Sequence, residues 1–213
     1  MNIIKRITKN RKEVLQGKNT CEYVIVHHTG GSQKLWQSML RYFQKADYLS
    51  VHYIVGREGE VIQYVEDKDV AYHAGQSLWK GRANMNMHSI GIEVVSNGHD
   101  YTDKQREAVL ELIKSLMATH GINKENVLRH ADISGYRGKW DIGPNFYTPR
   151  WGSWEGFQSA LDNSMSWPEE KAMGQTWVQK REISNGERPE DMITRGEMFV
   201  MLHRLWKKIK GLE

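Results

Sequence analysis

The chain has 213 residues, with 30 Lys and Arg against 26 Asp and Glu, and its net charge of +4 is interspersed along its length. That size holds one ordinary domain with a well-filled core plus a small appendage, and the single cysteine, Cys21, excludes an internal disulfide framework. Without a basic stripe, zinc-finger spacing or an aromatic RNA-binding signature, nucleic acid is excluded as a partner. No stretch approaches the roughly 20 apolar residues of a membrane span, and Met1 to Thr20 is basic and polar without the apolar run of a signal peptide. Synthesis in a cytoplasm with no membrane partner is therefore expected, as a monomer.

Residues 23–28 form an apolar, β-branched run that ends at Thr29-Gly30-Gly31 and predicts a buried strand with His27 at its C-terminal tip. Trp36, Met39, Leu40 and Phe43 recur at helical spacing and predict a first helix over 32–44. Residues 51–55 and 60–64, joined by Gly56-Arg57-Glu58-Gly59, predict a hairpin. From Ala71 to Asn86 the chain is rich in Gly, Asn, Trp and His without periodicity, which marks a long functional loop. Another strand follows over 89–95. Thr102 and Gln105 make a capping box for a helix through His120, with Gly121 at its end. Residues 126–130 predict a short strand with His130 at its tip, then a polar loop through Pro144.

Strands alternating with helices, several of them apolar on both faces, predict an α/β fold with a central mixed β-sheet flanked by helices, spanning residues 1–161. Residues 162–164 read as a linker. Beyond it, Ser166 with Glu169 and Thr194 with Glu197 predict two capped helices, a small C-terminal helical unit over 165–213.

The chemistry concentrates at a few side chains. His27, His130 and Asp141 could together hold Zn²⁺, since two neutral imidazoles and one carboxylate leave a fourth position open, as in hydrolytic zinc sites. Glu93 is the one charge in the run Ile90-Gly91-Ile92-Glu93-Val94, where burial would raise its pKa toward that of a working base. Lys139 could stabilise an oxyanion. His52 and His73, with Trp79 and Asn86 of the long loop, are the candidates for touching substrate. Each also has a plainer reading: a hydrogen-bonded structural histidine, an edge-strand carboxylate, a solvated lysine.

These motifs, in this order over about residues 20–160, resemble the zinc-dependent N-acetylmuramoyl-L-alanine amidases of the type-2 amidase family, which includes phage lysozymes, wall-recycling amidases and peptidoglycan recognition proteins. Val24-Ile25-Val26-His27-His28-Thr29 resembles the family's first-ligand strand, in which the first histidine of the pair binds zinc. The segments 50–55 and 71–75 are similar to those that wall its cleft, and 86–93 to the strand carrying its catalytic glutamate. Residues 129–133 and 138–144 are similar to the second and third ligands with the catalytic lysine between them. Two departures stand out: Asp141 replaces the cysteine of the family's phage lysozymes and recognition proteins, and Val51 replaces a tyrosine of the phage lysozymes. Residues 183–186 with 193–202 resemble one S-layer-homology motif, which would make the tail a binder of secondary cell-wall polymer.

The resemblance implies hydrolysis of the amide between N-acetylmuramic acid and L-alanine of bacterial peptidoglycan. Zn²⁺ would sit on His27, His130 and Asp141, with Glu93 and Lys139 catalytic. Without a signal peptide and with a wall-binding-like tail, the architecture is similar to that of a phage endolysin acting at the cell wall. The alternatives are a cytoplasmic amidase recycling soluble anhydro-muropeptides, a non-catalytic peptidoglycan-binding module, and a wall anchor led by its tail.

Overall fold

A computed structural model describes residues 2–8, 14–31 and 35–162; the two tail helices and the wall-polymer motif expected beyond them lie outside the described residues. In chain order the strands are β1 (Ile3–Lys5), β2 (Val14–Leu15), β3 (Tyr23–His28), β4 (Tyr53–Val55), β5 (Val61–Gln63), β6 (Val70–Ala71), β7 (Leu78–Trp79), β8 (Arg82–Ala83), β9 (Ser89–Val94) and β10 (Val127–Arg129). The helices are α1 (Trp36–Lys45), α2 (Asp103–His120), α3 (His130–Ser134), α4 (Pro144–Trp151) and α5 (Trp154–Asp162). One sheet runs in the order β1-β5-β4-β9-β3-β10, and within it only the hairpin pair β4 and β5 is antiparallel. This is the mixed central sheet with flanking helices that the sequence predicts.

Alternation along the strands divides the sheet into two faces. Val24 and Val26 of β3, with Ile90, Ile92 and Val94 of β9, pack under Val109, Leu112, Ile113 and Leu116 of α2 and Phe157 and Leu161 of α5. On the opposite face, Ile54 and Ile62 meet Met39 and Phe43 of α1, while Ile25 and Leu128 meet Ala74, Met85 and Ile133. His27 and Glu93 share the parity of Ile25 and Gly91, so they belong to this second face.

Helix α2 starts and stops where its sequence says it should. Thr102 Oγ1 accepts from the Gln105 N–H at 3.1 Å, Gln105 Oε1 accepts from the Thr102 N–H at 3.0 Å, and Gly121 closes the helix at φ +68°. Other elements differ from expectation. The long loop contains the small β7–β8 ladder and a single 3-10 turn over Met85–Met87. The polar stretch after His130 opens with α3, and the N-terminal segment supplies β1, paired in parallel to β5.

The two helices after Pro144 have a sequence that argues against them, with Pro149 inside α4 and Gly156 inside α5. Aromatic packing overrides propensity there. Phe157 is fully buried, with its ring centroid 4.8 Å from that of Trp151, 4.8 Å from that of Trp154 and 5.7 Å from that of Phe146. Among the described residues no helix is long and apolar enough to cross a membrane. Phe157→Ala should lower unfolding free energy by about 3–5 kcal/mol in urea titrations, the usual cost of emptying a buried aromatic site; a loss below about 1 kcal/mol would show that α5 does not depend on this cluster.

Candidate active site

Strand pairing brings the site together. In the parallel ladder of β3 and β9, His27 lies directly opposite Glu93. The ladder of β3 and β10 pairs Val26 with Arg129, so the next residues, His27 and His130, leave neighbouring strands side by side. Their ring centroids are 4.4 Å apart.

Asp141 arrives from the loop before α4, and two sets of bonds hold that loop. The Ala131 N–H donates to the Asp141 carbonyl at 2.6 Å. Buried Arg106 of α2 donates to the carbonyls of Phe146 (2.7 Å) and Asn145 (2.9 Å) just beyond. Asp141 Oδ2 thereby stands 3.0 Å from His130 Nδ1 and 3.4 Å from His27 Nδ1.

One donor atom from each of the three residues lies within 4.8 Å of the others. A tetrahedral zinc ion with bonds of roughly 2.0–2.1 Å needs donors about 3.3 Å apart, so the donor types suit such an ion, and the widest pair would draw closer around it. A second observation agrees: Glu93 Oε2, on the strand beside His27, is buried with no hydrogen-bond partner among the described residues. A buried carboxylate oxygen left without a partner is costly in a folded protein and suits a group waiting for solvent or substrate.

The electrostatics favour the same use. Burial, reinforced by the neighbouring His130, pushes His27 down to about 4, so its ring is neutral and free to ligate near neutral pH. Burial acts against the Asp141 charge, but hydrogen bonds from His130 and His27 more than offset it and hold the carboxyl far below the usual range. Glu93 is pushed up to about 8 by burial and by the Asp141 charge, with Lys139 pulling the other way. A cation held by the three donors would pull it further down. Lys139 itself is exposed, on the loop that leads into Asp141.

The four residues expected to touch substrate sit in different surroundings. His52 is fully buried: its Nδ1 accepts from the Gly91 N–H at 2.9 Å, and its Nε2 lies 2.9 Å from the Asp69 carbonyl. Both of its ring nitrogens have partners inside the fold. Asn86 is likewise internal, its Oδ1 accepting from the N–H groups of His73 (3.0 Å) and Ala74 (2.7 Å). His73 stands behind His27, with its Nδ1 3.0 Å from His27 Nε2. Trp79 packs against the cluster of Ile25, Ala74, Met85, Leu128 and Ile133, and the Lys80 ammonium lies over its ring. Val51 is fully buried among Ile54 and Phe43 and offers no polar atom.

Residues that the sequence reading passed over are His28 and Trp140. The Trp140 ring, half exposed, lies 4.6 Å from that of His28, whose two nitrogens are buried and have no partner among the described residues. Trp140 sits between Lys139 and Asp141, and an aromatic residue flanked by two candidate site residues is the signal that could have found it.

Two imidazoles from the ends of neighbouring strands and a carboxylate from the loop before α4 form a group that could hold one metal ion, beside a glutamate oxygen without a partner among the described residues. Residues 17–144 match the family model described as N-acetylmuramoyl-L-alanine amidase, and the chain belongs to that family. It is 37% identical over 119 residues to the 1,6-anhydro-N-acetylmuramyl-L-alanine amidase AmpD of Enterobacter cloacae, covering 54% of this chain and 59% of that protein. It is 32% identical over 138 residues to the N-acetylmuramoyl-L-alanine amidase AmiD of Escherichia coli, covering 57% of this chain and 47% of that one. The chain thus matches about half the length of these curated relatives. Among solved structures, the catalytic domain of XlyA superposes with a TM-score of 0.58 at 26% identity, over 76% of this chain and 99% of that one.

Linkage gives the sign of one pH effect. Glu93 in the metal-free fold keeps its proton to about pH 8, whereas unfolded it loses it near 4.5, so the folded state holds more protons between those values. Stability of metal-free protein should therefore fall as pH rises from about 5 to about 8 and level off above that, and Glu93→Gln should flatten the fall. Urea titrations of both proteins across that range check it; parallel curves would place the Glu93 carboxyl in solvent.

Proposed function

We propose that this protein is a zinc-dependent N-acetylmuramoyl-L-alanine amidase, cleaving the amide between the lactyl group of N-acetylmuramic acid and the L-alanine of the stem peptide. The observation that carries the reading is the convergence of His27, His130 and Asp141 beside the Glu93 Oε2, which has no partner among the described residues. Zinc, when bound, supplies Lewis acidity that makes a water molecule acidic enough to attack near neutral pH. His27, His130 and Asp141 hold the ion. Glu93 takes the proton of the attacking water at Oε2 and hands it to the departing amine, which needs a base of near-neutral pKa in a partly dry site. The Lys139 ammonium faces the negative charge that builds on the carbonyl oxygen.

The substrate we favour is a soluble anhydro-muropeptide rather than the intact wall. The AmpD relatives carry 1,6-anhydro-N-acetylmuramyl-L-alanine in their names, and AmiD of Escherichia coli has been solved with anhydro-N-acetylmuramic acid bearing a stem peptide. This supports the recycling alternative over the endolysin reading that the tail suggests. The endolysin reading keeps one support, the likeness to a mutant endolysin from Bacillus subtilis, at 26% identity with a TM-score of 0.58.

Incubation with a purified anhydro-muropeptide should release an intact stem peptide with a free L-alanine amine, identified by mass, faster than the protein clears insoluble sacculi. Faster action on sacculi would restore the wall-lytic reading, and release of neither product would remove the amidase. Chelation of the metal should abolish turnover and lower the melting temperature. Glu93→Ala should lower kcat by about 10²–10⁴ with bound zinc retained, measured by steady-state kinetics beside metal analysis; a near-normal rate would move the base elsewhere.

A further inference from the structure

Behind the three donors lies a second layer that the reaction above does not use. His27 Nδ1 faces Asp141, so the other ring nitrogen, Nε2, points into the protein, where His73 Nδ1 stands at 3.0 Å. His73 Nε2 lies 3.4 Å from Ser89 Oγ, and that hydroxyl donates to the Met85 carbonyl at 2.6 Å. When His27 Nδ1 is a metal ligand, its proton must sit on Nε2. The proton then has one destination on this line, the Nδ1 lone pair of His73, while the His73 Nε2–H turns to Ser89.

The fold builds a seat for that ring. The His73 backbone is fixed by Asn86 Oδ1, which accepts the N–H groups of both His73 and Ala74. Its imidazole lies flat on Gly91 of β9. A Cβ at residue 91 would come within 2.5 Å of His73 Cγ and 2.6 Å of His73 Nδ1, closer than such atoms approach. Glycine inside a buried strand weakens it, and here its bareness is what admits the ring.

We propose that His73 is a positioning residue of the metal centre: it accepts the His27 Nε2 proton, fixes the His27 tautomer and ring angle, and depends on the Gly91 gap to do so. This rests on the metal reading of the preceding section and reassigns His73 from substrate contact to support of a ligand. Partners of this kind change metal affinity by about 10–100-fold when removed.

The test is zinc affinity, measured by competition with a chromophoric chelator, for the wild-type full chain and three variants. His73→Leu keeps the bulk and removes the acceptor, and zinc should bind about 10–100-fold more weakly. His73→Asn keeps an acceptor oxygen near the Nδ1 position and should recover most of that loss. Gly91→Ala leaves every ligand and His73 itself in place and should weaken zinc by displacing the ring; it also covers the case in which His73→Leu fails to fold. Melting temperatures of the metal-free proteins separate a folding defect from a loss of affinity. Zinc bound by His73→Leu as tightly as by wild type, or equal losses in the Leu and Asn variants, would overturn the role of the acceptor. Failure of the wild type to bind zinc would instead strike the metal reading itself.

Discussion

The parallel pairing of β3 with β9 fixes more of this molecule than any other contact. Its register sets His27 against Glu93 and, through the same alternation, turns Ile25, His27, Gly91 and Glu93 away from α2 and α5. A slip of one residue would exchange the faces, driving His27 into the apolar core and presenting His28 to the loop side. Both faces of the sheet are buried, so hydrophobic packing opposes that slip along the whole ladder. The choice between two adjacent histidines is thus made by valines and isoleucines that take no part in the chemistry.

The site runs against the preferences of a folded interior. Three imidazoles, of His27, His73 and His52, are stacked edge to face at centroid spacings of 5.1 and 5.6 Å and kept neutral by burial. The surrounding framework offsets this locally. Arg106 ties the Asp141 loop to α2, Asn86 ties the His73 loop to itself, and the core under α2 and α5 supplies the apolar burial. Polar groups that depend on one another in this way act together more than singly.

How much of this was legible in the sequence varies with the range of the interactions involved. The strand at His27, the hairpin over 53–63 and helix α2 were readable because period, turn and cap lie within a few residues of each other. The residue types of His27, His130 and Asp141 suggested a shared cation, but nothing local says that residues 27, 130 and 141 meet, and the resemblance to a family was what joined them. Helices α4 and α5 were hidden because Pro149 and Gly156 speak against helix, and only the ring cluster around Phe157 outweighs them. His52 and Asn86 were assigned to substrate contact because a histidine or an asparagine has the same appearance in a sequence whether its polar atoms face a cleft or a backbone amide. Gly91 carried a usable sign, a bare position in a run of Ile and Val, but what it makes room for comes from a segment some eighteen residues earlier.

The outermost strand, β1, has a bearing on how the molecule is handled. Residues 3–5 occupy the free backbone of Val61–Gln63 at one margin of the sheet. An expression design that shortens the chain at that end, or fuses a rigid partner directly to it, would bare a row of unsatisfied amides and carbonyls flanked by Val61 and Ile62. Such a margin recruits strands from other molecules, so solubility of the preparation depends on a three-residue stretch far from the chemistry.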